Sequence, residues 1–394
     1  MSYRLLYGNE RKTNQKDNMR IFFITEDYPD KYRSTYIFVK QLVEEIAARG
    51  NECFVIAPHS VTRTKRLSYS KESIKIGSGT VEVHRPNYIS TSNLVLGGFS
   101  PGLYLHKRAV LRAVRKIART PDAIYCHFWT SAYEVVKYAR SKRIPLFVAS
   151  GESVIDVLPN ERVRSLLYDY VSGVICVSSK NKEESVSLKL TKADICKIIP
   201  NAVNLTLFCK LDRLTCRQEM GFSQSDYIIA YLGWFNERKG ARRVSEALKR
   251  IQGKQVKGIF IGEGPDVPEY AGILFCGSLP HDEIPKYLNA ADVFVLPTRK
   301  EGCCNAIIEA MACGLPIISS DRSFNYDILD ETNSILCDPD NVEALAEAIK
   351  LLRDDLDLRQ KLSQGALGRA KKLSIANRAA TIESFIKANL PKHD

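Results

Sequence analysis

PTRKEGCCNAIIEAMACGLPIISS, residues 297–320, is the stretch from which the rest of the chain is read. It begins where an apolar run, DVFVLP (292–297), ends. Asn305 is expected to cap a helix running from about 306 to 313, which Gly314-Leu315-Pro316 stops. Gly302 lets the backbone approach a ligand closely. The amides of 302–305 sit at the positive end of that helix, where a pyrophosphate binds well. Glu309, one turn in, can accept hydrogen bonds from two adjacent ribose hydroxyls, and Glu301 would lie near a group attached beyond the phosphates. A second reading fits the same spacing: an N-cap with helix-dipole carboxylates on a buried structural helix.

Working outward, short β-rich runs alternate with helical patterns on both sides of this stretch. RIFFIT (20–25), ECFVIAP (52–58), VEVHRP (81–86), AIYCHF (123–128), PLFVAS (145–150) and GVICVS (173–178) form one series. YIIAYLG (227–233), KGIFIG (257–262), ILFCG (273–277), DVFVLP, LPIIS (315–319) and SILC (334–337) form another. Apolar runs separated by helices indicate parallel sheets covered on both faces. The expected fold is α/β, with two doubly wound, Rossmann-like domains facing across a cleft, where ligands bind at the carboxyl ends of the strands. IIPNAVNLTLF (198–208) breaks the alternation and marks the boundary. The expected segments are 1–18, a disordered extension ahead of Met19; 19–205 and 206–375, the two domains; and 376–394, a C-terminal helix crossing back to the first. Residues 61–80, polar and basic, read as a surface loop.

Composition narrows the classes. Of 394 residues, 45% are hydrophobic and 26% charged, so a disordered chain is excluded. No apolar run approaches the ~20 residues of a membrane span. The 11 cysteines are scattered without CxxC spacing, which argues against a disulfide framework or a zinc ribbon and for buried thiols in a reducing cytoplasm. The net charge of +12 is uneven: residues 1–200 hold 32 Lys and Arg against 19 Asp and Glu. That excess points to an anionic partner for the first half.

The pattern EGxxNxxxEAMAxGLP resembles the carboxyl-terminal signature of retaining family 4 glycosyltransferases of the GT-B fold. The resemblance extends over nearly the whole chain from Met19. YPD…IFVKQLVEEIAARGNECFVIAP (28–58) is similar to the family's first strand–helix–strand unit, IPNAVNLTLF (199–208) to its interdomain segment, IGEGP (261–265) to its Gly-x-Gly-Pro turn, and ADVFVLP (291–297) to the strand before the signature. It implies a first domain that binds the acceptor and a second that binds a nucleotide-sugar donor, UDP- or GDP-linked. Glu301 would contact the sugar hydroxyls and Glu309 the ribose. Gly302, Cys303, Cys304 and Asn305 would hold sugar or phosphate. Transfer would retain anomeric configuration by front-face attack, with no covalent role for Glu301. No cofactor and no metal are implied, because Lys239 with Arg238 would neutralise the diphosphate and stabilise its departure.

The chain departs from the family pattern in three places, one of them the family's Gly-Gly acceptor loop after the first strand, which is absent here, with Ser34-Thr35 near that place. After Gly233 the family usually has Arg; here Trp234 stands, and Arg238 would need a loop shift to substitute. After PLFVA the family often has His-Gly; here the sequence is Ser150-Gly151-Glu152. Ser150 and Gly151 can offer backbone groups, and Glu152 reads either as an acceptor-side base or as a helix N-terminal carboxylate. His127 ends a strand and reads either as a cleft residue or as a buried histidine. Cys303 and Cys304 have no matched base and read as small residues at a crowded backbone. Trp129 and Trp234 fit either sugar stacking or packing.

GLYLHKRAVLRAVRKIART (102–120) places Leu103, Val110, Leu111, Val114, Ile117 and Ala118 on one helical face and Arg108, Arg112, Arg115, Lys116 and Arg119 on the other. The basic face fits an anionic membrane or a lipid-phosphate acceptor, and equally a solvated surface. No nucleic-acid motif accompanies the charge. The resulting expectation is a cytoplasmic enzyme, peripheral at the inner membrane face. It would move a hexose or N-acetylhexosamine to a glycan or polyprenyl-diphosphate-linked acceptor in surface or capsular polysaccharide assembly. A sugar-nucleotide epimerase on the same fold and a non-catalytic nucleotide-sugar-binding protein are the rivals. The epimerase would need carboxylates and a His at the sugar C2, and the binding protein would bind donor without turnover.

Overall fold

The computed structural model describes residues 18–30, 35–62, 70–91, 100–156, 159–251 and 256–391. Apart from Asn18, the expected extension 1–18 lies outside the described residues. The chain forms two compact units. One takes in the residues up to Cys126 with 137–146 and those from Leu390 on; the other takes in 127–136 and 147–389.

In chain order the first elements are β1 (Arg20–Ile24), α1 (Ile37–Ala48), β2 (Glu52–Ile56), β3 (His59–Ser60), β4 (Lys71–Ile76), β5 (Gly79–His84), β6 (Asn87–Tyr88), α2 (Pro101–Lys116) and β7 (Ala123–His127). Strands β7-β1-β2-β5-β4 lie side by side in that order. All pair in parallel except β4, which runs antiparallel to β5. The strand β4 corrects the expectation of a loop over 61–80. KESIKI is a mostly exposed edge strand whose only apolar residues are Ile74 and Ile76, too short an alternation to stand out among its Lys, Glu and Ser. Its turn into β5 needs glycine: a Cβ on Gly79 would lie 2.1 Å from the Ala47 carbonyl oxygen.

The chain continues through α3 (Trp129–Lys142), β8 (Leu146–Ser150), α4 (Glu161–Tyr170), β9 (Val171–Cys176), α5 (Ser179–Ser187), β10 (Cys196–Ile198), α6 (Arg213–Glu219), β11 (Tyr227–Leu232), α7 (Ala241–Lys249), β12 (Val256–Ile261), β13 (Ile273–Gly277), α8 (Ile284–Ala290), β14 (Val293–Leu296), α9 (Asn305–Ala312), β15 (Ile317–Ser320), β16 (Ser334–Cys337), α10 (Val342–Asp354), α11 (Leu356–Lys372) and α12 (Ile375–Ala388). Strands β10-β9-β8 are neighbours in that order. A separate six-stranded sheet runs β13-β12-β11-β14-β15-β16, parallel throughout. The α/β, Rossmann-like architecture is the one the sequence suggests. Among the described residues no helix is long and apolar enough to cross a membrane.

The boundary expected at 205/206 falls inside the second unit. The reason lies in α12 and the residues just before it. The Val203 amide donates to Leu373 O at 2.9 Å and the Ile375 amide to Val203 O at 3.0 Å. Arg378 donates to the carbonyls of Ile199 and Pro200. Phe385 meets the Phe147 ring edge-on at 6.2 Å and covers Gly173, where a Cβ would stand 2.8 Å from the ring. These contacts bind β8, β9 and the 199–203 segment to the C-terminal helix.

The six-stranded sheet is held at its amino edge by one buried carboxylate. Asp292 accepts from the Ile228 amide at 2.8 Å, from Arg217 Nη2 at 2.7 Å, and from Arg213 Nη1. Arg217, 1% exposed, also donates to Ala290 O, Gln224 O and Asp226 O. Removing one member of such a buried pair strands the other's charge. Asp292→Ala is therefore expected to lower unfolding free energy by about 3–5 kcal/mol, read from urea denaturation. A loss below about 1 kcal/mol, the scale of an exposed pair, would show that the sheet does not depend on it.

Candidate functional site

The chain lays down β11, β12 and β13 toward one edge of the six-stranded sheet, then returns to place β14 on the other side of β11. This is a topological switch point, and loops leaving the carboxyl ends of β11 and β14 diverge there to open a crevice. The β11 loop carries Gly233 to Gly240 and the β14 loop carries Pro297 to Cys304. The Gly-x-Gly-Pro turn after β12 supports the first of them. A Cβ on Gly262 would meet Gly233 O at 2.0 Å, and one on Gly264 would meet Phe235 O at 2.3 Å.

Four side chains from the two loops converge. Glu301 Oε1 lies 2.5 Å from Arg238 Nη1 and 2.6 Å from Lys239 Nζ, while Lys239 Nζ is 3.8 Å from Cys304 Sγ. Lys239 and Glu301 are largely buried and Arg238 is half-exposed. Burial opposes the Lys239 charge, but Cys304 and Glu301 outweigh it and hold the ammonium above the ordinary lysine value. Arg238 thus reaches the same carboxylate as Lys239, although Trp234 occupies the position at which the family usually places its arginine. Trp234 itself is 49% exposed, at the rim. Arg243 shapes both loops, donating to Glu237 O at 2.6 Å and Pro297 O at 2.7 Å.

Helix α9 begins one residue earlier than expected. Cys304, in extended conformation and with no side-chain capping bond, occupies the N-cap position, and Asn305 is the first helical residue. Asn305 Oδ1 is buried with no hydrogen-bond partner among the described residues. The backbone N–H groups of this first turn lack partners within the helix, so an anion is favoured here. Asn201 Nδ2 fixes the approach to the turn by donating to Cys303 O at 2.9 Å. Burial raises the Cys303 thiol to about 12 and the Cys304 thiol as well, which suits the reading as small packing residues. One turn along, Glu309 Oε1 lies 3.1 Å from His281 Nε2.

Glycine at 302 is dictated by a second backbone: its Cβ would stand 2.4 Å from Gly151 O. Gly151 follows Ser150, which is fully buried and does not present its side chain to a ligand. Ser150 Oγ lies 3.1 Å from Ser185 Oγ and accepts from Trp129 Nε1 at 3.2 Å. Trp129 is therefore a core residue, not a sugar platform. The Glu152 carboxylate accepts from the Trp129 amide at 2.7 Å, at the start of α3, and from the Gly151 amide at 2.9 Å. The helix-terminus reading of Glu152 thus describes its contacts. Burial raises its pKa to about 7 despite those hydrogen bonds. His127 is buried, and burial together with Arg378 pushes it down to about 3, so its ring is neutral.

The basic residues of α2 belong to the other unit. The helix stops at Lys116, short of the expected 120, because Ile117 turns extended. It buries Ala109, Val110, Ala113 and Val114, while Leu103, expected on the buried face, is 56% exposed. Arg108, Arg112, Arg115 and Lys116 face outward, and Arg119, beyond the helix, pairs with Glu52 at 3.3 Å.

The structure brings together Glu301, singled out by its spacing before the helix, and Arg238 and Lys239, named through the resemblance, while Glu309 lies one turn along α9. The sequence pattern does not single out His281 and Asn201, which lie outside helices and strands, or Arg243, in the first turn of α7.

Two family models match the chain: Glycosyltransferase Family 4 over residues 37–207 and Glycosyl transferases group 1 over 226–355. Together they take in about three quarters of it. The Bacillus subtilis glycosyltransferase TuaC, named for teichuronic acid biosynthesis, is 28% identical over 84% of this chain and 88% of its own. One subunit of the human phosphatidylinositol N-acetylglucosaminyltransferase is 30% identical over 79% of this chain and 64% of its own length. The crystal structure of Anabaena HepE in complex with UDP superposes with a TM-score of 0.70 at 16% identity, over 94% of this chain and all of that one.

The environment of Glu152 has a measurable consequence. The folded protein keeps a proton there up to about pH 7, whereas the unfolded chain loses it near the ordinary value of 4.5. Stability from this group is present below that lower value and is lost as pH rises toward 7, by about 3 kcal/mol in all. Glu152→Gln cannot ionise. Its melting temperature relative to wild type is expected to rise between pH 5 and pH 8 in parallel thermal melts. A difference independent of pH would contradict the burial account.

Proposed function

Because the chain belongs to the family 4 glycosyltransferases of the GT-B fold, we propose that it transfers a hexose or N-acetylhexosamine, with retention, from a UDP- or GDP-sugar to a glycan or lipid-linked acceptor. The setting would be polysaccharide assembly at the cytoplasmic face of a membrane. The observation that carries the donor half is the placement of Glu301, Arg238, Lys239 and the first turn of α9 at the switch point of the six-stranded sheet. Lys239 and Arg238 would take the diphosphate, with no metal required. Glu309 would take the ribose hydroxyls, and Glu301 the hydroxyls of the transferred sugar. The acceptor hydroxyl would bond to the anomeric carbon as the bond to the diphosphate breaks on the same face, its proton leaving with the diphosphate. Relatives named for teichuronic acid biosynthesis and as a phosphatidylinositol N-acetylglucosaminyltransferase support the glycan and lipid-linked classes.

Glu301 pairs with the cations that the diphosphate would need. Donor binding is then an exchange of partners: the diphosphate takes Lys239 and Arg238, and Glu301 is released toward the sugar. A thermal-shift panel with UDP-, GDP-, ADP-, CMP- and dTDP-sugars, in EDTA, tests this on wild type, Glu309→Ala and Glu301→Gln. One nucleotide should raise the melting temperature by mass action, and Glu309→Ala should reduce that shift. Glu301→Gln should bind the free nucleoside diphosphate a few-fold more tightly, yet transfer at least ~100-fold more slowly. No shift with any donor would sink the reading, and binding without turnover would favour the non-catalytic rival.

The acceptor half of the proposal rests on α2. Its outward arginines, beside the half-exposed Leu103 and Tyr104, fit anionic headgroups. The protein should co-sediment with phosphatidylglycerol vesicles more than with phosphatidylcholine ones, less so in 0.5 M NaCl, and Arg112→Glu/Arg115→Glu should abolish the difference. Equal binding to both vesicle types would remove the membrane from the proposal.

A further inference from the structure

His281 stands between Glu309 and the buried ring of Phe208. It follows β13, in the loop before α8. On one side its Nε2 lies 3.1 Å from Glu309 Oε1. On the other its ring meets the ring of Phe208 edge-on, with centroids 5.1 Å apart. Phe208 is 1% exposed and closes the irregular segment 199–208, its amide bonded to Asn204 O at 2.9 Å. The histidine is thus held from behind by a buried aromatic and aimed forward at the carboxylate. Glu309 Oε2 has no hydrogen-bond partner among the described residues, and the carboxylate remains partly exposed at the crevice.

A glutamate on a helix has three side-chain torsions, and an unrestrained one must give up that freedom to bind a ligand. A diol that binds through both hydroxyls needs the carboxylate in one orientation. A donor clamped on Oε1 supplies that orientation before the ligand arrives, and leaves Oε2 fully available. We propose that His281 is the positioning residue for Glu309: it fixes the carboxylate for the two ribose hydroxyls of the nucleotide and thereby sets donor affinity. This rests on the assignment of Glu309 to the ribose. Phe208 makes the arrangement rigid, so the segment joining the strands β8–β10 to the six-stranded sheet also supports the nucleotide site.

The test uses calorimetric titration of the full chain with the nucleoside diphosphate selected by the panel, and with its 2′-deoxy analogue. His281→Phe keeps a ring against Phe208 and removes the donor; His281→Gln restores an N–H near the Nε2 position. His281→Phe should weaken binding about tenfold and reduce the preference for the ribonucleotide, while the 2′-deoxy analogue is little affected. His281→Gln should recover much of the loss. In steady-state assays the donor KM should rise with kcat nearly unchanged. In the Glu309→Ala background, His281→Phe should have no further effect. Unchanged affinity in His281→Phe, or a full tenfold loss on top of Glu309→Ala, would overturn the proposal, the latter pointing to direct contact of His281 with the nucleotide. If Glu309→Ala binds the ribonucleotide as tightly as wild type, the ribose assignment itself falls, and the single variants reveal this separately.

Discussion

One carboxylate oxygen, Glu301 Oε1, is shared between Arg238 and Lys239 at 2.5 and 2.6 Å. Much of the six-stranded sheet is arranged so that these three groups can meet. The cations arrive on the loop after β11 and the carboxylate on the loop after β14, and those strands are neighbours only because the chain reverses its direction of sheet building between β13 and β14. Lys239 could not remain charged and largely buried without an anion beside it. The ion pair therefore keeps the Lys239 ammonium charged in a largely buried place.

The close approach of backbones follows from that convergence. Gly262 and Gly264 bring the β12 loop onto the carbonyls of Gly233 and Phe235, and Gly302 brings the β14 loop onto the Gly151 carbonyl. None of these positions tolerates a Cβ in the observed arrangement, so the glycines are conditions of the geometry. Arg243 reinforces it by spanning the carbonyls of Glu237 and Pro297, one on each loop. A guanidinium suits this task because its donors lie in a fixed plane and can serve two loops at once.

Legibility in the sequence divides along physical lines. The strands of the parallel sheets are readable because burial on both faces leaves uninterrupted apolar runs, as in RIFFI and YIIAYL. The α9 stretch is readable because helix termination, glycine and carboxylate spacing coincide within a few residues. The strand β4 is not, since this exposed edge strand holds only the short Ile74–Ile76 alternation. Asn305 reads as the cap because its residue type favours that role, yet the chain turns one position earlier, at Cys304. His281, Arg243 and Asn201 are invisible for a different reason. Each has a partner at least 25 positions away, and such a distant partner leaves no local signal.

Glu152 shows how substitution at a site can be absorbed rather than merely tolerated. With serine before it and no histidine at hand, the carboxylate turns inward and serves the Trp129 and Gly151 amides, while Ser150 and Ser185 receive the Trp129 indole. Four polar groups are satisfied within a small volume, and the Gly151 carbonyl is left in place against Gly302. A histidine side chain at 150 would have to displace the buried Ser150–Ser185–Trp129 contacts to fit. The network thus fixes the backbone at 150–152 by a route that needs no ligand-facing side chain.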